Sequence, residues 1–95
     1  MTESLFRFLT EVVWAEGGDG EAVVVLRHHN IFTVADAFEQ WLKDNGYGER
    51  YRREGHGDGA FIVFTDQRNE NIIFVDEDYK EQVKTSWRQD LWIEM

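Results

Sequence analysis

The stretch Leu5-Phe6-Arg7-Phe8-Leu9-Thr10-Glu11-Val12-Val13-Trp14-Ala15 decides how many layers this chain folds into. Leu5, Phe8, Leu9, Val12 and Val13 fall at helical spacing, whereas Phe6, Phe8, Val12 and Trp14 fall on alternate positions, so two periods compete for one segment. Its β-branched and aromatic content favours a strand. Gly17-Gly18-Asp19-Gly20 would then join it to residues 22–28 as a hairpin. A helix is the alternative. The choice matters because residues 23–26, 61–64 and 72–75 are apolar at every position. A strand with one wet face alternates polar and apolar side chains, so these three runs are strands that something must cover on both sides. If residues 5–15 are helical, helices on both faces of the sheet close the chain into three layers. If they form a strand, one apolar face is left over for a partner.

The remaining elements read more simply. A helix is expected over 33–45, with Thr33 as its cap, Asp36 at the capping-box position, Phe32 as a staple residue before the cap and Gly46 as the stop. Val34, Ala37, Phe38, Trp41 and Leu42 make its core stripe. Residues 49–54, 60–65 and 71–75, separated by glycine-rich and polar loops, read as an antiparallel meander. Regular turns would place Ile62 and Phe64 with Ile72 and Phe74 on one face, and Phe61 and Val63 with Ile73 and Val75 on the other. A short helix over 79–88, capped at Asp78, and an edge strand over 91–93 complete the chain. The expected fold is therefore α+β, a mostly antiparallel sheet of about five strands in ββαββ order with helices over 33–45 and 79–88. Residues 1–95 form one domain, since no proline, repeat or low-complexity linker divides them.

Composition narrows the function classes. Nineteen Asp and Glu against ten Lys and Arg give a formal charge of −9, a field that repels phosphate backbones and attracts basic surfaces. Direct nucleic-acid binding is disfavoured, and a well-dispersed acidic surface is the plainest reading of the charge. The absence of cysteine removes thiolate metal sites and a cysteine nucleophile. No basic leader and no long apolar run are present, so the chain is expected to be cytoplasmic and not to enter a membrane.

Few constellations carry chemistry. Asp76, Glu77 and Asp78 concentrate three carboxylates before a helix, either as a helix-start preference or as a partner-facing patch. Arg50, Tyr51, Arg52 and Arg53 form a basic and aromatic island of the kind found in interface hot spots, Arg50 and Arg52 on one face and Tyr51 and Arg53 on the other. Trp87 and Trp92 either close the core or mark a docking patch. A metal set of His28 or His29 with His56 and Asp58 needs the loop after residue 55 to fold back onto a strand end, because adjacent strand residues face opposite ways. The glycine-rich loop over 55–59 leads into a strand rather than a helix, unlike a phosphate-binding loop. Neither serine lies in a nucleophile-elbow context.

The expected function is a non-enzymatic protein interaction module without a cofactor, an inhibitor or adaptor of the compact acidic sort made by phages and mobile elements. Its partner would be another protein with a basic, nucleic-acid-binding surface. The alternatives are a homodimer or larger self-assembly that buries an apolar sheet face, and a small metal-dependent enzyme built on the histidines and carboxylates.

Overall fold

The structure, a computed structural model, describes residues 3–15, 21–56, 61–86 and 91–95, the side chains of 12–15, 56, 85 and 86 aside. Helix α1 spans Glu3–Ala15, strand β1 Glu21–Leu26, helix α2 Ile31–Asp44, and strands β2, β3 and β4 span Tyr51–His56, Phe61–Asp66 and Asn71–Asp76. A 3-10 turn at Glu77–Tyr79 leads into helix α3, Lys80–Ser86, and strand β5, Leu91–Glu94, comes last. The class is α+β as expected.

The expected N-terminal strand is a helix. Phe6 and Leu9 are buried, whereas Phe8, which alternation would place beside Phe6, is 44% exposed. The stripe that packs is Phe6, Leu9 and Thr10 with Leu5 beside them, a helical spacing. The Thr10 hydroxyl donates within the helix to the Arg7 carbonyl at 2.9 Å, so a buried polar side chain carries its own partner.

Strand order is β2-β3-β4-β1-β5, with β2, β3 and β4 antiparallel and β1 parallel to both β4 and β5. The sheet is thus mixed rather than mostly antiparallel, and the order departs from ββαββ. The meander register is as expected: Ile62 opposes Phe74 and Phe64 opposes Ile72 on one face, while Phe61 opposes Val75 and Val63 opposes Ile73 on the other.

Both faces are closed within the chain. On the first, Val24, Ile62, Phe64, Ile72 and Phe74 meet Phe6 and Leu9 of α1 and Val34, Phe38 and Trp41 of α2. Phe38 is the hub, edge-on to Phe64 at 4.9 Å between ring centroids and to Phe74 at 5.4 Å. On the second, Val23, Val25, Val63, Ile73 and Val75 are buried with Val83 of α3, and Phe61 and Trp92 pack at the flanks.

Helix α2 begins earlier than expected. Asn30, not Thr33, is its cap, and its Oδ1 accepts from the backbone N–H groups of Phe32 at 2.9 Å and Thr33 at 3.1 Å. With the start moved, Ile31, Val34, Ala35, Phe38, Trp41 and Leu42 form the buried stripe. Ala37 turns outward and Phe32, expected as a staple, is half exposed. Gly46 does end the helix, at φ +84°, a left-handed conformation that glycine takes without a Cβ clash. Asp76, rather than Asp78, caps the turn that precedes α3, its Oδ1 accepting from the Asp78 N–H at 3.0 Å.

Candidate functional site

Parallel pairing of β1 with β4 sets Leu26 opposite Asp76, so both strands release their chains at the same end of the sheet. Beyond β1 come Arg27, His28, His29 and the Asn30 cap; beyond β4 come Glu77, Asp78 and Tyr79. A cleft of about 370 Å3 lies between them, lined by Leu26, His28, His29, Asp76, Glu77 and Asp78. Ligand crevices in sheets with parallel strands gather at such carboxyl ends. His28 has φ 59°, a left-handed conformation that histidine adopts more readily than most side chains and that turns the chain from β1 toward α2. Two exposed aromatics, Phe32 and Tyr79, 50% and 40% accessible, stand on the segments that follow the two strand ends.

Charge at this end is unbalanced. The Arg27 guanidinium sits between Glu94, at 2.8 Å, and Glu77, at 3.5 Å, and Lys80 approaches Glu94 at 3.4 Å. The Glu94 carboxyl is held below its ordinary value by hydrogen bonds from Arg27 and then Trp92, with a lesser contribution from Lys80, against the opposing effect of desolvation. Among the described residues two cations, Arg27 and Lys80, thus answer Asp76, Glu77, Asp78 and Glu94 together, which leaves the cleft a negative excess.

The basic island divides, as alternation requires. Tyr51 and Arg53 face α2, with Tyr51 packed on the first core and Arg53 donating to Asp36 Oδ1 and Glu39 Oε1, both at 2.7 Å. Burial alone would lower the Arg53 pKa, but these hydrogen bonds and charges carry it above its ordinary value, so the guanidinium is a permanent strap from β2 to α2. Arg52, on the other face, pairs with Glu54 at 3.0 Å, and the Arg50 guanidinium lies 5.4 Å from the Tyr47 ring centroid. These four residues stand at the start of β2, the opposite end of the sheet from the acidic cleft, so the two expected contact regions do not join.

Trp92 is half-buried, its Nε1 donating to Glu94 Oε2 at 3.3 Å with Lys84 5.3 Å from the ring centroid, which makes it part of the sheet edge. Trp87 and Asp58 lie outside the described residues. His56 ends β2, and three strand spacings, about 14 Å, separate β2 from β1 and the histidines beyond it. Among the described residues no group of three or more His, Asp or Glu side chains is arranged to hold a metal ion. No described helix is long and apolar enough to cross a membrane.

The acids at 76–78 and the histidines at 28 and 29 read separately in the sequence, and the fold unites them. One signal pointed that way: each group comes directly after a doubly apolar run, and two parallel strands deliver their next residues to the same end of a sheet. No protein-family model matches the chain, and comparison with curated proteins and with solved structures gives no match.

Proposed function

We propose that the chain is a non-enzymatic interaction module, of inhibitor or adaptor type, that occupies a basic protein surface with the acidic end of its sheet. The observation that carries this reading is the juxtaposition at the carboxyl ends of β1 and β4: three carboxylates and two histidines line one cleft, and the exposed Phe32 and Tyr79 stand on the chain segments that follow them. An acidic rim draws a basic partner in, and aromatic side chains supply contact area once it docks. The excess apolar face that motivated self-association is buried under α3 and its neighbours, which leaves the polar surface as the place for contacts.

A short oligo-arginine peptide, titrated into isotopically labelled protein, tests the placement. Amide shifts are expected to concentrate in residues 27–32 and 76–79 and to fade as salt rises. Paired Glu77→Lys and Asp78→Lys substitutions should weaken binding by about tenfold or more, and an equal charge change made with Asp44→Lys and Glu11→Lys should weaken it far less. Equal losses for the two pairs would mean that net charge alone attracts the peptide, and the cleft would lose its role.

A further inference from the structure

At the other end of the sheet, where β2 begins and β3 ends, a second concavity has different chemistry. A cavity of about 180 Å3 is lined by Arg50, Asp66, Gln67 and Arg68. Beside it lies another of about 210 Å3 that shares Arg50, Asp66 and Gln67 and adds Glu49, Tyr51, Arg52 and Thr65 to its walls. Each is smaller than the roughly 300–1,000 Å3 that encloses a drug-sized ligand. Three of the chain's seven arginines meet here on a protein that is acidic overall.

Asp66 is the unusual member. It is only 6% exposed. Its Oδ1 accepts from the backbone N–H groups of Arg68 at 2.8 Å and Glu70 at 2.9 Å, which shapes the β3–β4 loop. Its Oδ2 is buried and has no hydrogen-bond partner among the described residues. A buried carboxylate oxygen without a donor is costly and uncommon in folded proteins, and a bound group that donates to it removes the cost. The side chains that share the cavity walls with it, Arg50, Gln67 and Arg68, belong to exposed residues and are long enough to swing aside.

The two signs of charge select the ligand. A simple anion would suit the arginines but meet the Asp66 carboxylate; a simple cation would suit Asp66 but meet the guanidinium groups. Arg52 and Arg68 are already engaged by Glu54 at 3.0 Å and Glu70 at 3.3 Å through Nε, yet a guanidinium carries five donors, so engagement on one edge does not preclude a second acceptor. We propose that this groove binds a small zwitterion of the α-amino-acid class, its ammonium group donating to Asp66 Oδ2 and its carboxylate accepting from Arg50 and Arg68. This site lies at the end of the sheet remote from the acidic cleft and stands independently of it.

The test is an amide-resolved titration of the whole chain with L-serine, with acetate and ethylammonium as its two separate halves. Saturable shifts confined to residues 49–52 and 65–70 are expected with L-serine, and neither half should saturate over the same range. Asp66→Asn, which replaces the acceptor by a donor at one position, should weaken L-serine by at least about tenfold. Because that substitution also touches the loop's own hydrogen bonds, Arg50→Gln serves as the second variant: it should weaken L-serine while shifting the thermal midpoint less than Asp66→Asn does, since Arg50 is exposed and its contact with Tyr47 is a surface one. Acetate that saturates as tightly as L-serine would reduce the groove to a plain anion site and overturn the proposal. So would an absence of saturation with all three. The Glu77→Lys and Asp78→Lys pair should leave this titration unaltered, so failure of one site is distinguishable from failure of the other.

Discussion

At the scale of single residues, Glu94 shows how little of the acidic surface is idle. Its Oε1 takes the Arg27 guanidinium at 2.8 Å and the Lys80 ammonium at 3.4 Å, tying the last strand to the segments that leave β1 and β4. The folded state therefore holds this carboxyl below the ordinary value of 4.5. A depressed carboxylate stabilises the fold above its unfolded-state value, and the contribution is lost as pH falls through the lowered folded-state value. Glu94→Gln should accordingly lower the thermal midpoint at neutral pH, and the gap between variant and parent should close once the pH is well below the carboxylate range. A gap of constant size across that range would show that Glu94 acts through packing and not through its charge.

Among the elements, α1 offers the sharpest contrast, because its two neighbouring phenylalanines have opposite fates. Phe6 is 5% exposed, 5.0 Å from the Phe38 ring centroid, while Phe8 is 44% exposed. Phe6→Ala should cost about 3 kcal/mol or more, as for a buried aromatic, and Phe8→Ala about 0.5 kcal/mol or less. Urea denaturation with unchanged slope measures both. A strand would place the two on one face and make the costs alike. The same segment shows why the sequence could be read only in part: a run rich in Phe, Leu and Val satisfies both periods, and burial against Phe38, a contact remote in sequence, breaks the tie. The meander was legible because its strands are consecutive and joined by short loops, and the demand for cover on both faces was legible in the unbroken apolar runs. Parallel pairing of β1 with β4 and β5 was not, since a strand's choice of a distant partner leaves no local pattern. The candidate cleft depends on that pairing, so its parts were visible and their meeting was not. Asn30 escaped for a smaller reason: Thr33 and Asp36 have a capping-box spacing, yet only a start at Ile31 brings Ile31 into the buried stripe, one turn ahead of Val34 and Ala35.

For the molecule as a whole, the charge of −9 sets two salt dependences against each other. The protein measures 32 × 25 × 21 Å, so most pairs of like charges are separated by more than the Debye length of about 8 Å at physiological ionic strength. Their collective repulsion disfavours the compact state, and salt relieves it. Salt also weakens the attractive pairs, but those exposed at Arg27, Arg52 and Lys43 are each worth about 0–1 kcal/mol. The pairs of Arg53 with Asp36 and Glu39, at 2.7 Å with the arginine side chain 26% exposed, are screened less than they would be in open water. Relief of repulsion should therefore win, and the thermal midpoint should rise as sodium chloride is raised from a few millimolar to about 0.5 M, where the Debye length falls below about 5 Å. Affinity for a basic partner should fall over the same range, because there the screened interaction is attractive. Differential scanning calorimetry across the salt series measures the first trend and the oligo-arginine titration the second. A midpoint that falls with salt would show that the ion pairs around Arg27 and Arg53 outweigh the repulsion, and the acidic surface would then be a stabilising network within the fold instead of a field held in reserve for a partner.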